Sequence, residues 1–275
     1  MFNRRELHAG VMFGSDSWDE YWEGTLRRSN GNVGTVTTRS VALHAGYGVT
    51  ERLSIFAGLP YVWTEASQGV LHGMKGRQDL TVLAKYRLAN PVLAGRARLK
   101  LVAVAGASTP TSNYTPDFLP MSIGLQSKSA ITRLGAHLQD RTGWFVDGYA
   151  ERIWRANVTL DRSAYYTDNA YYETNEVSMP DVAMYRGALG WQRGPWCIPV
   201  GVSWQRTLGG GDIRRQDMPF VSNRMNATAA HADVMYFLPG VSNLRLDLGV
   251  ARTLEGRNVG KSTSFMTGLT YALHL

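Results

Sequence analysis

The sequence predicts an all-β fold: a closed antiparallel transmembrane β-barrel of about twelve strands, with long extracellular loops and short periplasmic turns. Three observations support this fold class. Segments of about ten residues alternate in polarity along most of the chain, as strands with two different faces do. The connections between these segments alternate between long and short. The last segment, 265–275, keeps an apolar, aromatic face up to Leu275, and we expect a single domain over residues 1–275.

The composition permits this fold. The 275 residues are 44% hydrophobic and include 29 Gly, 13 Tyr and 8 Trp, which suits a sheet with tight turns and interfacial aromatics. No segment approaches the run of ~18 apolar residues that a membrane helix requires, whereas a barrel strand needs only one apolar face. Residues 1–6 contain no apolar core of a signal peptide, so either the chain is mature or truncated or the barrel interpretation is wrong.

Five strands are predicted in the first half of the chain, beginning near residues 7, 35, 53, 79 and 97. Loops at 30–34 and 69–77 alternate with turns at 50–52 and 90–95, and the polar stretch 15–28 is expected to extend the first strand. The third strand has the clearest outward face, formed by Leu53, Ile55, Ala57, Leu59, Tyr61 and Trp63.

Seven strands are predicted in the second half, for a total of six long and five short connections. The even strand number places both termini on the short-turn, periplasmic side. Aromatic residues near the strand ends predict two interfacial girdles. They are Tyr61, Trp63, Trp154 and Trp204 beside the long loops, and Tyr86, Trp144, Trp196 and Tyr236 beside the short turns.

Hydrogen bonding requires the sheet to close. Unpaired edge groups in hydrocarbon each cost several kcal/mol, so the first strand must pair with the last. About twelve strands give a lumen wider than that of an eight-stranded barrel and narrower than that of a large porin. Such a lumen can pass or hold a small solute.

Charged residues at alternate strand positions are the candidate pore lining. A charge facing lipid near the midplane costs roughly 2–4 kcal/mol, so these side chains should point inward, where charged rings filter solutes by sign and size. One of the cations Lys85, Arg87, Arg186 or Arg245 can neutralise Asp147 and Glu151 across the lumen; alternatively, all these charges pair and fill a structural barrel. The candidates are Asp79, Lys85, Arg87, Asp147, Glu151, Arg186, Arg245 and Asp247.

Residues 47–88 carry a pattern typical of one family. The segments are 47–53 (YGVTERL), 59–61 (LPY), Gly76, 79–80 (DL) and 85–88 (KYRL). This pattern resembles the outer-membrane transporter family associated with meta-pathway phenol degradation. The resemblance implies a barrel channel, with hydrophobic or aromatic compounds as proposed cargo, and it does not specify the solute.

The sequence offers no catalytic constellation, so we predict a protein that is not an enzyme. Outer-membrane lipid hydrolases use a His-x-Ser element, and none of the six histidines is followed by Ser two positions later. No metal-ligand spacing is present, residues 209–211 (GGG) lack the Lys of a phosphate loop, and Cys197 has no cysteine to pair with. We therefore predict no catalytic residue, no metal site and no cofactor.

The net charge is +7, but its distribution argues against nucleic acid, because no dense Lys/Arg run is present. We expect membrane lipid, lipopolysaccharide and a small-molecule solute as partners, and the oligomeric state is not predicted. The prediction is a porin-like, passive channel or transporter of the outer membrane of a Gram-negative bacterium. Two alternatives remain open: an outer-membrane barrel hydrolase acting on lipids, and a soluble or structural β-barrel binding protein.

Overall fold

Twelve long strands form one closed antiparallel sheet in the computed structural model, which describes residues 2–214, 219–241 and 243–275. The last strand pairs with the first from Glu6–His274 to Ser17–Thr263, so the sheet has no free edge. The predicted closed barrel is confirmed. Its strands are β1 (Glu6–Trp18), β2 (Val36–Gly48), β3 (Leu53–Ala66), β4 (Asp79–Ala89), β5 (Ala97–Pro110), β6 (Ser129–Asp140), β7 (Trp144–Arg155), β8 (Val182–Arg193), β9 (Trp196–Thr207), β10 (Asn226–Phe237), β11 (Leu244–Arg257) and β12 (Thr263–His274).

One end of the barrel carries short turns and both termini. Gly143 and Gly194 adopt positive φ angles of 101° and 55° in the β6–β7 and β8–β9 turns, a conformation that residues with a Cβ rarely adopt. The other end carries five long connections and one short one. Within the described ranges no helix is long and apolar enough to cross a membrane.

Two details of the connections differ from the prediction. β1 ends at Trp18, and residues 20–29 then form a separate small hairpin, Glu20–Glu23 with Leu26–Ser29, instead of extending β1. β11 continues to Arg257, so the last connection contains only residues 258–262 and is not a long loop. The predicted loop 209–223 includes residues 215–218, which lie outside the described part of the chain.

The outer face of the barrel is apolar and uncovered. Leu43 is 65% exposed and Leu134 is 63% exposed, so no second layer of protein packs over the sheet there. Exposed outward aromatics lie near both ends, as predicted for girdles, with Tyr61, Trp154 and Trp204 at one end and Tyr86, Trp144 and Trp196 at the other. An apolar belt of this kind is suited to lipid and unsuited to water, which identifies a transmembrane barrel of the outer-membrane type.

The long loops pack together into a crown over the long-loop end. We use "crown" for residues 19–35, 67–78, 111–128, 156–181, 208–214 and 219–225. Its cores are built from side chains that would otherwise be exposed, and Met121, Val177 and Val221 are buried to 1% exposure or less. Three apolar clusters stabilise it: Val33, Val36 and Met121; Val62, Tyr114 and Ile123; and Val158, Leu160, Tyr165, Val177, Met179, Phe220 and Val221.

Candidate functional site

The register of the barrel strands places all eight candidate residues on the inner face. Residues that are directly paired across neighbouring strands share a face. Lys85 pairs with Val104, Val104 with Arg133, and Arg133 with Glu151, so this row lies on one side of the sheet. The apolar neighbours Tyr86 and Leu134 are 44% and 63% exposed on the other side. Whether the inward charges control permeation stays a prediction.

Charges are arranged in two different ways around the lumen. We call the inner faces of β4–β6 the cationic wall and those of β8–β12 the paired wall. In a ring of twelve strands, β5 lies opposite β11, so the two walls face each other. β7, with Asp147 and Glu151, lies between them.

The paired wall balances each cation with an acid. Arg186 Nη2 lies 3.0 Å from Asp233 Oδ2, and Arg245 Nε lies 2.9 Å from Asp247 Oδ1. Thr270 adds a further contact, because its Oγ1 is 3.1 Å from His44 Nε2. Gly10 leaves the space that the His44 ring occupies. This wall is a connected network of polar side chains with no excess charge among these pairs.

The cationic wall has an excess of cations. Its inward charged groups are Lys85, Arg87, Arg98, Lys100 and Arg133, and Asp79 is the only carboxylate at an inward position in these fully described strands. Arg133 is bound by Glu151 of β7, with Nη2 and Nε at 2.6 and 2.7 Å from Oε2. Within the described residues, no acid lies within 4.0 Å of the other four cations.

Neutralisation across the lumen was therefore the wrong expectation. Glu151 pairs with Arg133 on the neighbouring strand, and the base nearest to Asp147 is His137, with Nδ1 at 3.8 Å from Oδ2. Arg186 and Arg245 bind acids of their own wall. Each of these charges therefore has its nearest partner along the sheet and not across the lumen.

Two of the candidates lie at the ends of the lumen. Asp79 begins β4 beside the crown, where Tyr114 donates a 2.7 Å hydrogen bond to its carboxylate. Burial, followed by the adjacent Asp79, raises the pKa of Tyr114, so this hydroxyl stays protonated. Arg87 lies near the short turns, where its backbone amide donates to Arg52. The remaining six lie between these ends.

A cavity of about 520 Å³ lies against the cationic wall. The ammonium-bearing side chains of Lys85 and Lys100 line it together with Arg133, His137 and Asp147. Its other walls are apolar or aromatic, from Phe56, Leu83, Val102, Val104 and Tyr149. The Arg133 guanidinium stacks on Tyr149, 4.3 Å from the ring centroid. A smaller cavity of about 320 Å³ lies against the paired wall.

Both ends of the lumen are narrowed by segments of the chain. At the short-turn end, the Phe2 ring stacks on His8 with 3.9 Å between centroids, and its amide donates to Ser54 Oγ. At the crown end, loop 111–128 folds against the inner faces of β2 and β3, and Thr64 Oγ1 donates to the Met121 carbonyl at 2.6 Å. Passage of a solute therefore depends on these two segments as well as on the wall charges.

The inner face also bears on the hydrolase alternative. Five of the six histidines lie on inward strand positions, and His72 lies in the crown. Among the described residues, no histidine faces lipid beside a serine, as a lipid hydrolase of this architecture would require. In the same part of the chain, no three His, Cys, Asp or Glu side chains are grouped as metal ligands.

Four functional candidates were missed by the sequence reasoning: Lys100, Arg133, His137 and Asp233. The Arg133–Glu151 and Arg186–Asp233 pairs depend on which strands become neighbours, which alternation alone does not specify. The sequence did contain evidence for Lys100, because this charged residue stands between Leu99 and Leu101 as an inward strand residue would. The polarity of the two faces of β5 was nevertheless hard to assign, because its inner face is also apolar at Val102 and Val104.

Comparison with known structures supports the same fold. The chain is similar to the COG4313 outer membrane channel from Pseudomonas putida F1, with a TM-score of 0.77 and 16% identity over 99% of this chain and 97% of that one. It is also similar to the KdgM porin, with a TM-score of 0.52 and 8% identity over 96% and 99% of the two chains. For the NanC porin the TM-score is 0.51 and the identity 7%, over 95% and 100%.

These similarities confirm the outer-membrane barrel fold, and with it a porin-like architecture. No protein-family model matches the chain. No curated protein matches it either. The link to meta-pathway phenol degradation therefore stays a prediction.

Proposed function

We propose that this protein is a channel of the bacterial outer membrane through which a small solute passes passively. The observation that carries the proposal is the combination of an uncovered apolar exterior with an inner face that is charged and holds a cavity of about 520 Å³. A barrel that served only as a scaffold would need neither unpaired cations nor space inside. Cavities of this volume suit small organic molecules.

The finer parts of the proposal rest on the sequence pattern of residues 47–88. Its resemblance to the meta-pathway family suggests hydrophobic or aromatic cargo, and the apolar side of the cavity is compatible with such compounds. Phe56, Leu83 and Val102 would contact the body of the solute. Lipopolysaccharide is the proposed outer-leaflet partner, because Arg206 projects from the outer face beside the girdle residue Trp204 and is exposed.

Ion conduction in planar lipid bilayers tests the channel directly. Purified protein, shown to be folded by its β-type circular dichroism, should give discrete current steps in KCl that protein-free detergent does not give. Leu134→Arg, which places a charge on the exposed lipid face, should lower insertion, since such a charge costs roughly 2–4 kcal/mol near midplane. Folded and inserted protein that never conducts would contradict the proposal and favour a structural barrel.

A further inference from the structure

We propose that the cavity on the cationic wall is a binding site for an organic anion with an apolar body, such as a flat carboxylic acid. This inference rests on the proposed channel function and names the class of solute that the channel would select. It depends on three independent features of the described residues: unpaired cations, an apolar enclosure next to them, and a contrast with the opposite wall.

The first feature is the group of unpaired cations at the cavity. Lys85 and Lys100 both line the cavity, and Lys85 lies within electrostatic range of Lys100 and Arg133 and of one acid, Asp147. Two ammonium groups held near a third cation repel one another, which is unfavourable unless an anion joins them. Asp147 is the acid on the cavity wall, and its Oδ2 also lies 3.8 Å from His137 Nδ1. The site therefore has more positive than negative charge, and a carboxylate would supply the missing partner.

The second feature is the apolar surface of the cavity, which determines what kind of body the ligand must have besides its anionic group. Leu83, Val102 and Val104 line the cavity together with the lysines, and Phe56 and Tyr149 add aromatic surface. A small inorganic anion would leave this surface exposed to water. A molecule that combines a carboxylate with a hydrocarbon or aromatic body would satisfy the ammonium groups and cover the apolar groups at the same time.

The part of the cationic wall toward the short-turn end is also positively charged. Arg87 and Arg98 lie on the cationic wall near the ends of β4 and β5 that face the short turns, and no acid lies within 4.0 Å of either one in the described part of the chain. Together with Lys100 and Lys85 they form a continuous series of cations along β4 and β5. Such a series attracts an anion toward the cavity and lets it move in steps.

The opposite wall does not offer this chemistry. Arg186 and Arg245 are bound by Asp233 and Asp247, so their charges are already neutralised. The cavity on that side is smaller, at about 320 Å³, and is lined by both members of each pair. An organic anion would have to compete with a resident carboxylate there, and it would find no free cation.

Block of the KCl current by benzoate tests the inference, with benzyl alcohol as a neutral probe of the same shape. Benzoate should reduce the single-channel current of the wild-type protein in a saturable manner, and benzyl alcohol should do so only at much higher concentration. In the double variant Lys85→Gln/Lys100→Gln the half-blocking concentration of benzoate should rise about tenfold or more. Arg206→Gln removes one cation from the outer face and should leave benzoate block unchanged.

Equilibrium dialysis of labelled benzoate against detergent-solubilised protein separates the site from the channel. Saturable binding that the double variant loses, in protein that does not conduct, would support the site and overturn the channel. Conducting protein whose block and binding are the same for benzoate and benzyl alcohol, or the same in the double variant, would overturn the site and leave the channel intact. Chloride competing equally with benzoate would show that the apolar surface plays no part and would also overturn the inference.

Discussion

The two walls of the lumen use the same residue types in opposite ways. On the paired wall, Arg186 and Arg245 each have a carboxylate within 3.0 Å: Asp233 of β10 binds Arg186 of β8, and Asp247 binds Arg245 of the same strand. On the cationic wall, Lys85 and Lys100 face a cavity. Among the described residues, no acid lies within 4.0 Å of either ammonium group. The contrast indicates a division of roles. The charges of the paired wall stabilise the sheet, and those of the cationic wall remain available to bind a solute.

The sequence composition of the walls explains the difference. β10 and β11 contribute Asp233 and Asp247 at inward positions, so acids and bases alternate around that side. On the inner face of β5, Arg98 and Lys100 are followed by Val102 and Val104, and the strand carries no acid. Among the described residues, no acid lies within 4.0 Å of the inward cations of β4 and β5, so these charges have no local partner. Only Arg133, which adjoins β7, has a carboxylate within reach.

Reversing the charge of the cationic wall should have the largest effect. In Lys85→Glu/Lys100→Glu, the reversal potential measured across a KCl gradient should move strongly toward cation preference, because the lumen would lose two positive charges and gain two negative ones. The matched control is the exchange Arg245→Asp/Asp247→Arg, which alters two charges of the paired wall and keeps their sum. Its reversal potential should stay close to that of the wild-type protein. Equal shifts in both variants would show that the two walls are equivalent.

Breaking a pair on the paired wall should affect stability more than selectivity. Asp233→Asn leaves the Arg186 guanidinium, whose Nε already has no hydrogen-bond partner, without its carboxylate. Since both side chains are partly exposed, we expect a loss of about 1–2 kcal/mol in the free energy of unfolding. Denaturant unfolding in detergent micelles measures it. Lys100→Gln on the cationic wall should change that free energy by less than about 0.5 kcal/mol, and a loss equal to that of Asp233→Asn would contradict the division of roles.

The fold could be predicted because one physical rule dominates it. Lipid requires the outward side chains in the membrane-spanning parts of β3, β4, β9 and β11 to be apolar or aromatic, so their alternation is visible in the sequence and the inward charges follow from it. β5 was the exception. Ala103, Ala105, Val102 and Val104 make both of its faces apolar, so its alternation was uninformative and Lys100 was overlooked.

The partners of the charges could not be predicted in the same way. The Arg186–Asp233 pair joins β8 to β10 across β9, and it depends on the strand register and on the small residue Gly201 between them. Likewise, the packing of Tyr114 on Asp79 depends on how loop 111–128 folds into the crown. These contacts arise from long-range closure of the barrel. Only the Arg245–Asp247 pair, two residues apart on one strand, was open to prediction from the sequence.

Titration of Asp212 in the crown should have the smallest effect on stability, and only in acid. Above the paired wall, Asp212 accepts hydrogen bonds from Arg257 at 2.6 and 2.7 Å and from Asn258 at 2.8 Å. The Arg257 contact, aided by Asn258, lowers the pKa of Asp212 from 3.8 to about 2. A depressed carboxyl pKa means that this contribution is complete above pH 4 and is lost as the pH falls toward 2. Because the pair is largely solvated, we expect it to be worth about 0.5–1 kcal/mol.

Hydrogen exchange of residues 208–214 between pH 5 and pH 2 measures this contribution. Protection relative to the intrinsic exchange rate should fall over that interval in the wild-type protein and should be low and nearly constant in Asp212→Asn. The contact above the cationic wall differs in kind, because a neutral hydroxyl, Tyr114, donates to Asp79 there. Tyr114→Phe should therefore lower protection of 111–128 near neutral pH without altering the acid transition of 208–214. A single acid transition shared by both segments, abolished by either variant, would show that the crown is one cooperative unit and not two halves anchored separately to the two walls.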